Sequence, residues 1–505
     1  MSNIRDDDSV LEQDLLASAL AVAEALENGE ERSEIMEAIA VDYAQRRALS
    51  RAVELVESIS DPYSRDRALG TVAACSIDAG LPDLASDLLD AIDDPSLLTL
   101  AIEQIAIRYA QRGDFNEALE TVGELADNTE VLSNIAVIYA KSGLAEEALK
   151  VARSLDHAMT KASTLGQLAT ESLNRGRNQA AQELLAEAAE ASKEIDFPED
   201  GAFSLVGVAS VYATLGEREL AFATLLEAAN LCDDIESPSG VGLTATYARD
   251  QALSHVVGGL AELNFFEKAD QILESIEDPF QFSDATRSLA LEYHKIGRTK
   301  EAEALLAQAV EVAKDPEVTG ERGLLLQSEV FARLAYAYAI CGHYQESLRV
   351  SQLINGTELR TGVLQEIGKA AVSAGLDPSQ AAELLPDATR AMSYWLGICD
   401  AYLALKQANP ADDALSRAEA ATSATDIPYE QSLTLSEIAL RLFRMDQPER
   451  AERLFCSALS TVGSIEGSYR RASALLGLAR KYAEIGREPT EEERDLLRRM
   501  LVGLE

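Results

Sequence analysis

The sequence is short of lysine, with 11 against 33 arginines in 505 residues and none before Lys141. Acidic side chains outnumber basic ones 86 to 44, for a net charge of −42. Such a chain repels polyanions, so neither nucleic acid nor an anionic membrane is expected as its main partner. The acidic excess fits a saline cytoplasm as well as ordinary solubility, and scarce lysine also follows from a GC-rich genome. No run of 18 apolar residues occurs, so no transmembrane helix is expected. The opening MSNIRDDDSVLEQ lacks a basic region followed by an apolar one, so no secretory signal is expected and the protein reads as cytoplasmic. Five scattered cysteines, Cys75, Cys232, Cys341, Cys399 and Cys456, then read as reduced thiols. Also missing are a Walker loop, a dinucleotide glycine pattern, His-Glu-x-x-His and Cys-x-x-Cys. The four histidines, at 157, 255, 294 and 343, are not at metal-ligand spacing. Neither a cofactor nor a metal is expected.

What the chain has is a repeated phrase. Between Leu97 and Leu149 it reads Ile105-Ala106-x-x-Tyr109 … Gly113-x-x-x-Glu117-Ala118-Leu119, then Ile135-Ala136-x-x-Tyr139 … Gly143-x-x-x-Glu147-Ala148-Leu149. Ile105, Ala106 and Tyr109 share one stripe of a helix, as do Ala118, Leu119 and Val122 on the next. Gly113 lies between the two periodic runs, where a left-handed residue can end a helix and turn the chain back. Alanines at 106 and 118 allow close helix packing. One such hairpin cannot bury its apolar face alone, so the hairpins must stack.

This phrase resembles the tetratricopeptide repeat, whose small residue, aromatic, turn glycine, second aromatic and helix B alanine are matched in order by Ala106, Tyr109, Gly113, Phe115 and Ala118. The resemblance covers roughly residues 11 to 505 and points to no particular subfamily. The family's early tryptophan is absent. Its closing proline comes early, ten residues after Ala52, Ala85 and Ala269, at Pro62, Pro95 and Pro279. The resemblance implies an all-α, right-handed α-α superhelix of about 12–13 hairpins, working as a non-enzymatic scaffold that binds protein or peptide through its concave face.

The turn position recurs at Arg47, Gly80, Gly113, Gly143, Gly176, Gly216, Asn264, Gly297, Gly342, Gly375, near Asn409, Asp446 and Gly486. Thirteen turns predict about 26 helices. The expected organisation is a flexible tail over 1–10, a repeat solenoid over 11–488 and a capping helix over 489–505. Ser9-x-x-Glu12 and Thr490-x-x-Glu493 read as capping boxes, and Asp61-Pro62, Asp94-Pro95 and Asp278-Pro279 as helix starts. Where units are longer, loops such as Ser237-Pro-Ser-Gly240 are expected.

In the resembling family the concave surface is lined from helix A, at positions three before, one after, and four and five after the small anchor residue. A subset grips a peptide carboxylate with lysine three before and asparagine one after; neither occurs here, so that clamp is not expected. From the eighth to the tenth unit these offsets give Arg287, His294, Lys295, Tyr336 and Lys369, a cationic and partly aromatic set in an acidic chain. They are the candidate peptide-binding residues, for an acidic or C-terminal segment. The competing reading pairs them with neighbours such as Asp284 and Glu292. An apolar stretch around Phe203, Val206 and Ala213 is the alternative groove. Two other functions are weighed. One is a sensor or regulatory subunit controlling a separate effector enzyme. The other is a helical ribonuclease, since Arg249…His255 and Arg287…His294 resemble the loose Arg…His pattern of the HEPN type; both fall inside repeat helices, where chance explains them better.

Overall fold

Each unit turns back at one residue with positive φ. In the computed structural model, twelve of the thirteen expected turn positions have φ between 59° and 92°. The remaining turn falls at Lys406 (φ 58°), three residues before Asn409. Asn409-Pro410 belongs instead to the first turn of the helix Ala408–Ser423, where proline costs no hydrogen bond because those N–H groups have no partner within the helix. The residue after each turn donates its N–H to the carbonyl five residues back, as Asp114 does to Tyr109 (2.9 Å) and Phe265 to Leu260 (2.8 Å). This bond closes the helix end whether or not the left-handed residue is glycine. Arg47, Asn264, Lys406 and Asp446 take it at a cost of about 1–2 kcal/mol each.

The structure describes residues 15–502 apart from 28, 124, 126, 236–243 and 315–319, with backbone alone at 320–322, 501 and 502. The expected tail over 1–10, the Ser9/Glu12 box and the Ser237–Gly240 loop lie outside the described residues. Among the described residues there are 27 helices and no strand. Thirteen hairpins account for 26 of these helices, and Leu15–Glu24 precedes them. The architecture is an all-α helical repeat solenoid. The alanines of the repeated phrase are buried: Ala106, Ala118, Ala136 and Ala302 are fully covered. Asp-Pro starts helices as expected, with Asp278 accepting from the N–H groups of Phe280 (3.0 Å) and Gln281 (2.9 Å).

A second periodic device ties one unit to the next. In several units helix A carries a buried polar residue seven before the anchor. Asp250 Oδ2 accepts from the N–H groups of Glu277 and Asp278, both at 2.7 Å, while Arg249 donates to Oδ1. Asp66 does the same for Asp93 (3.0 Å) and Asp94 (2.9 Å). Ser33 and Ser328 accept one such bond each, from Asp61 and Asn355. These bonds satisfy backbone donors that the inter-unit turn leaves without partners.

The chain divides into two compact units, one made of 1–108 with 378–505 and one of 109–377. In the first, helices distant in sequence pack together. Leu15–Glu24 lies along Ser468–Glu484 and buries Leu16, Val22 and Ala23 completely. Arg480 pairs with the buried Asp42 at 2.9 Å, and Arg46 donates to the Ala479 carbonyl at 3.2 Å. The last helix, Glu491–Val502, begins with the expected box: Thr490 N–H to Glu493 (2.8 Å) and Glu493 N–H to Thr490 Oγ1 (3.3 Å). Buried Glu493 also accepts from Tyr482 and Arg487. The second unit holds the site described next.

Candidate functional site

In the second unit the helix A faces of consecutive hairpins form a cleft of about 300 Å³. Its walls come from Pro198–Leu215, Ala245–Glu262 and Pro279–Lys295. The lining includes Val206, Ser210 and Ala213 from the first helix, Ser254, Gly258 and Glu262 from the second, and Arg287 from the third. These are the offsets that define the groove in the resembling family, now from three successive units. A second cleft of about 490 Å³ adjoins it between Ala158–Asn174 and Pro198–Leu215, lined by Met159, Gly166, Thr170, Phe203 and Val211 among others. Gly207 lines both clefts, so they adjoin on either side of Pro198–Leu215.

The polar end of the first cleft is a charge cluster. Asp284 is bonded by Arg287 (2.8 Å) on one oxygen and by Arg333 (2.7 Å) on the other. Burial alone would raise the Asp284 carboxyl; the two guanidiniums outweigh it and hold the group below its ordinary value. His255 sits beside this cluster with its ring edge-on to Phe203, centroids 5.0 Å apart. The ring is exposed to the cleft, yet the surrounding protein removes enough water to hold its pKa below the ordinary value, an effect Asp284 partly offsets. Asp200, on the rim of the larger cleft, is raised by burial and then by Glu199.

Of the five residues singled out by sequence, Arg287 alone lines either cleft. The charged three have carboxylate partners in their own helices: Arg287 with Asp284, Lys295 with Glu292 at 2.5 Å, and Lys369 with Glu366 at 2.7 Å. Tyr336 is exposed, and His294 is half-buried with Nδ1 lacking a hydrogen-bond partner. Val206 and Ala213, from the alternative groove, line the smaller cleft, and Phe203 the larger. Sequence reasoning missed Gly207 and His255 as lining residues, while Gly166 stood at the offset three before its anchor without being singled out. The family offsets skip the position two before the anchor, where Gly207 and His255 stand. The overlooked signal was glycine inside a helix, which calls for a packing or functional reason.

The Arg…His pairs do not stay together as pairs in these clefts. Arg249 is bonded to Asp250 at 2.8 Å, away from the lining residues, while His255 and Arg287, from different pairs, share the smaller cleft. Among the described residues no group of three His, Cys, Asp or Glu is placed to hold a metal ion. The cysteines are free thiols. Burial pushes Cys232 and Cys399 up to about 12 and Cys341 to about 11, so these three stay protonated and unreactive. No helix among the described residues is long and apolar enough to cross a membrane.

A tetratricopeptide repeat family model matches residues 288–316. No curated protein matches the sequence. Among solved structures the chain is similar to Ton1535 from Thermococcus onnurineus NA1, at 17% identity over 75% of this chain and 98% of that one, TM-score 0.27. It is also similar to a STAND signal-transduction ATPase with a tetratricopeptide-repeat sensor from Pyrococcus horikoshii, at 13% identity over 73% of this chain and 54% of that one, TM-score 0.27. A third is a Rap protein complexed with competence and sporulation factor, at 14% identity over 73% of this chain and 98% of that one, TM-score 0.26. With its turns, its buried alanines and the matched segment, the chain is a tetratricopeptide-like helical repeat protein of no particular subfamily.

Proposed function

We infer that this chain is a non-enzymatic, cytoplasmic scaffold that binds a protein or peptide segment along its helix A face, the face that is concave in the resembling family. The observation that supports this most is convergence. Groove positions from three successive units meet in one cleft, and a second cleft continues it across a fourth helix A. A run of adjoining clefts with a mostly uncharged floor suits an extended segment better than a small rigid molecule, because each unit offers a similar, repeated step. Asp284, Arg287 and Arg333 hold one another rather than a poised nucleophile or base.

A photo-crosslinking side chain placed at Val206 should form an adduct with a protein partner in an extract of the native organism. The same side chain at the exposed Glu190, on helix B of the preceding hairpin, should not. The reverse pattern would move the binding surface to the helix B side. An acidic or C-terminal segment as the partner requires Arg287 and Lys369 to release Asp284 and Glu366 to the solvent. Reversing both to glutamate should then abolish capture at Val206, and unchanged capture would exclude that partner.

A further inference from the structure

Helix interiors avoid glycine, which gives up more freedom on folding than alanine and adds no packing. A helical glycine is explained when a Cβ would collide with something. Gly201 and Gly259 are of this kind: an added Cβ would stand 2.8 Å from the Ser192 carbonyl oxygen and 2.8 Å from Leu225 Cδ2. Gly166 and Gly207 are not. Both lie inside long helices, neither has positive φ, and an added Cβ at either would find no heavy atom within 4 Å. The fold does not account for them. Both open onto the joined clefts, and Gly207 is the point where the two meet.

A separate observation concerns charge. Asp200, Glu262, Asp284 and Arg287 are the carboxylate and guanidinium side chains that line the two clefts. Asp284 is taken up by Arg287 and Arg333. Asp200 and Glu262 take part in none of the ion pairs or hydrogen bonds among the described residues, and Asp200 is half-buried. The charge left unanswered in the hollow is therefore negative. The chain around it carries −42, which draws a cationic partner in from a distance. The rest of the larger cleft's lining is uncharged, with Met159, Phe203 and Val211 supplying apolar surface.

This inference rests on the reading of the helix A face as the binding surface. We propose that the joined clefts receive an extended, cationic peptide segment whose main chain lies against Gly166 and Gly207. An apolar side chain of the segment enters among Met159, Phe203 and Val211, and its lysine or arginine side chains meet Asp200 and Glu262. Without a Cβ, the helix surface lets another main chain approach to van der Waals distance of its Cα atoms. The glycines are kept at a cost in stability because the occupant needs the space.

Fluorescence anisotropy with the full chain tests this, using three labelled nonapeptides that share the core Ala-Leu-Gly-Leu-Ala and carry two lysines, two glutamines or two glutamates on each side. The lysine peptide should bind at least about tenfold tighter than the glutamine peptide, with the glutamate peptide weakest. Gly166→Ala with Gly207→Ala should raise the melting temperature and weaken the lysine peptide by at least about tenfold. Asp200→Asn with Glu262→Gln should bring the lysine peptide down to the glutamine peptide, whose own affinity stays where it was. Tighter binding of the glutamate peptide, lost in the glycine variant, would overturn the cationic occupant and leave the binding face standing. Equal binding of all three, binding untouched by the glycine changes, or no binding by any of them would overturn the proposal. A fall in melting temperature of the glycine variant would make the glycines structural and remove its premise.

Discussion

Gly70 and Gly166 stand at the same place in their hairpins, three residues before the small anchor of helix A, in different compact units of the molecule. At Gly70 an added Cβ would lie 2.9 Å from the Cβ of Ala101; at Gly166 it would meet nothing within 4 Å. The first glycine lets Pro62–Asp78 close onto Pro95–Arg112, and the second leaves a hollow. The surroundings differ in the same sense. The groove at Gly70, about 240 Å³, is charged, with Arg67 paired to Glu37 at 3.0 Å and Asp66 beside them. Burial raises the Glu37 carboxyl and Arg67 opposes it. The cleft at Gly166 is larger and has Asp200 as its one ionic lining residue. One letter in one register position thus serves packing in one region and an open surface in the other.

The largest expected effect is at a position where the two regions agree. Asp66 and Asp250 each clamp two backbone N–H groups of the next unit beside an arginine. Replacing either with alanine leaves those donors without their acceptor and removes one of the arginine's partners, and should cost on the order of 3 kcal/mol in urea unfolding. A large cost at Asp250 and none at Asp66 would show that the regions differ in more than their grooves. Next comes the pair that should differ in sign. Gly70→Ala should destabilise by about 1–3 kcal/mol, because Ala101 must be pushed aside. Gly166→Ala should instead stabilise by about 0.5–1 kcal/mol, because nothing opposes the better helix former. Equal signs in thermal unfolding would erase the comparison.

The smallest effect is in acid. The folded state lowers the Asp284 carboxyl below its ordinary value of 3.8, so the unfolded chain takes up this proton first. The stability from Asp284 is complete above that ordinary value and is lost as pH falls through the lowered, folded one. Asp284→Asn should therefore unfold more easily than the parent at about pH 6, and the gap should narrow at about pH 3. A gap that widens in acid would mean the two arginines do not hold the carboxylate.

Much of the scaffold was legible because a helix that must reverse needs a left-handed residue, and most were glycine at regular spacing. Arg47 and Asp446 were found from the phrases around them, whereas Asn409 misled because a residue before proline also reads as a turn. The inter-unit clamp left a readable mark, a polar residue seven before the anchor at Ser33, Asp66, Asp250 and Ser328, but the family pattern does not contain it. The pairing of Leu15–Glu24 with Ser468–Glu484 joins segments at opposite ends of the sequence and has no period to betray it. Its one sign was a helix apolar on nearly all sides, LLASALAVAE, which must be covered by something. At the site, Arg287, Val206 and Ala213 came from the offsets. The carboxylate partners of Lys295 and Lys369 follow from i,i+3 spacing and were equally readable. The meaning of Gly166 was not, because only the neighbouring helix shows whether a Cβ would collide.

Hydrogen–deuterium exchange on the full chain, with and without the lysine-flanked nonapeptide, shows which face of the repeats takes the peptide. Protection on binding is expected in the helix A segments at 159–170, 200–213 and 254–262, with the paired helices B unchanged. Protection confined to helix B segments such as 145–153 and 179–190 would contradict it.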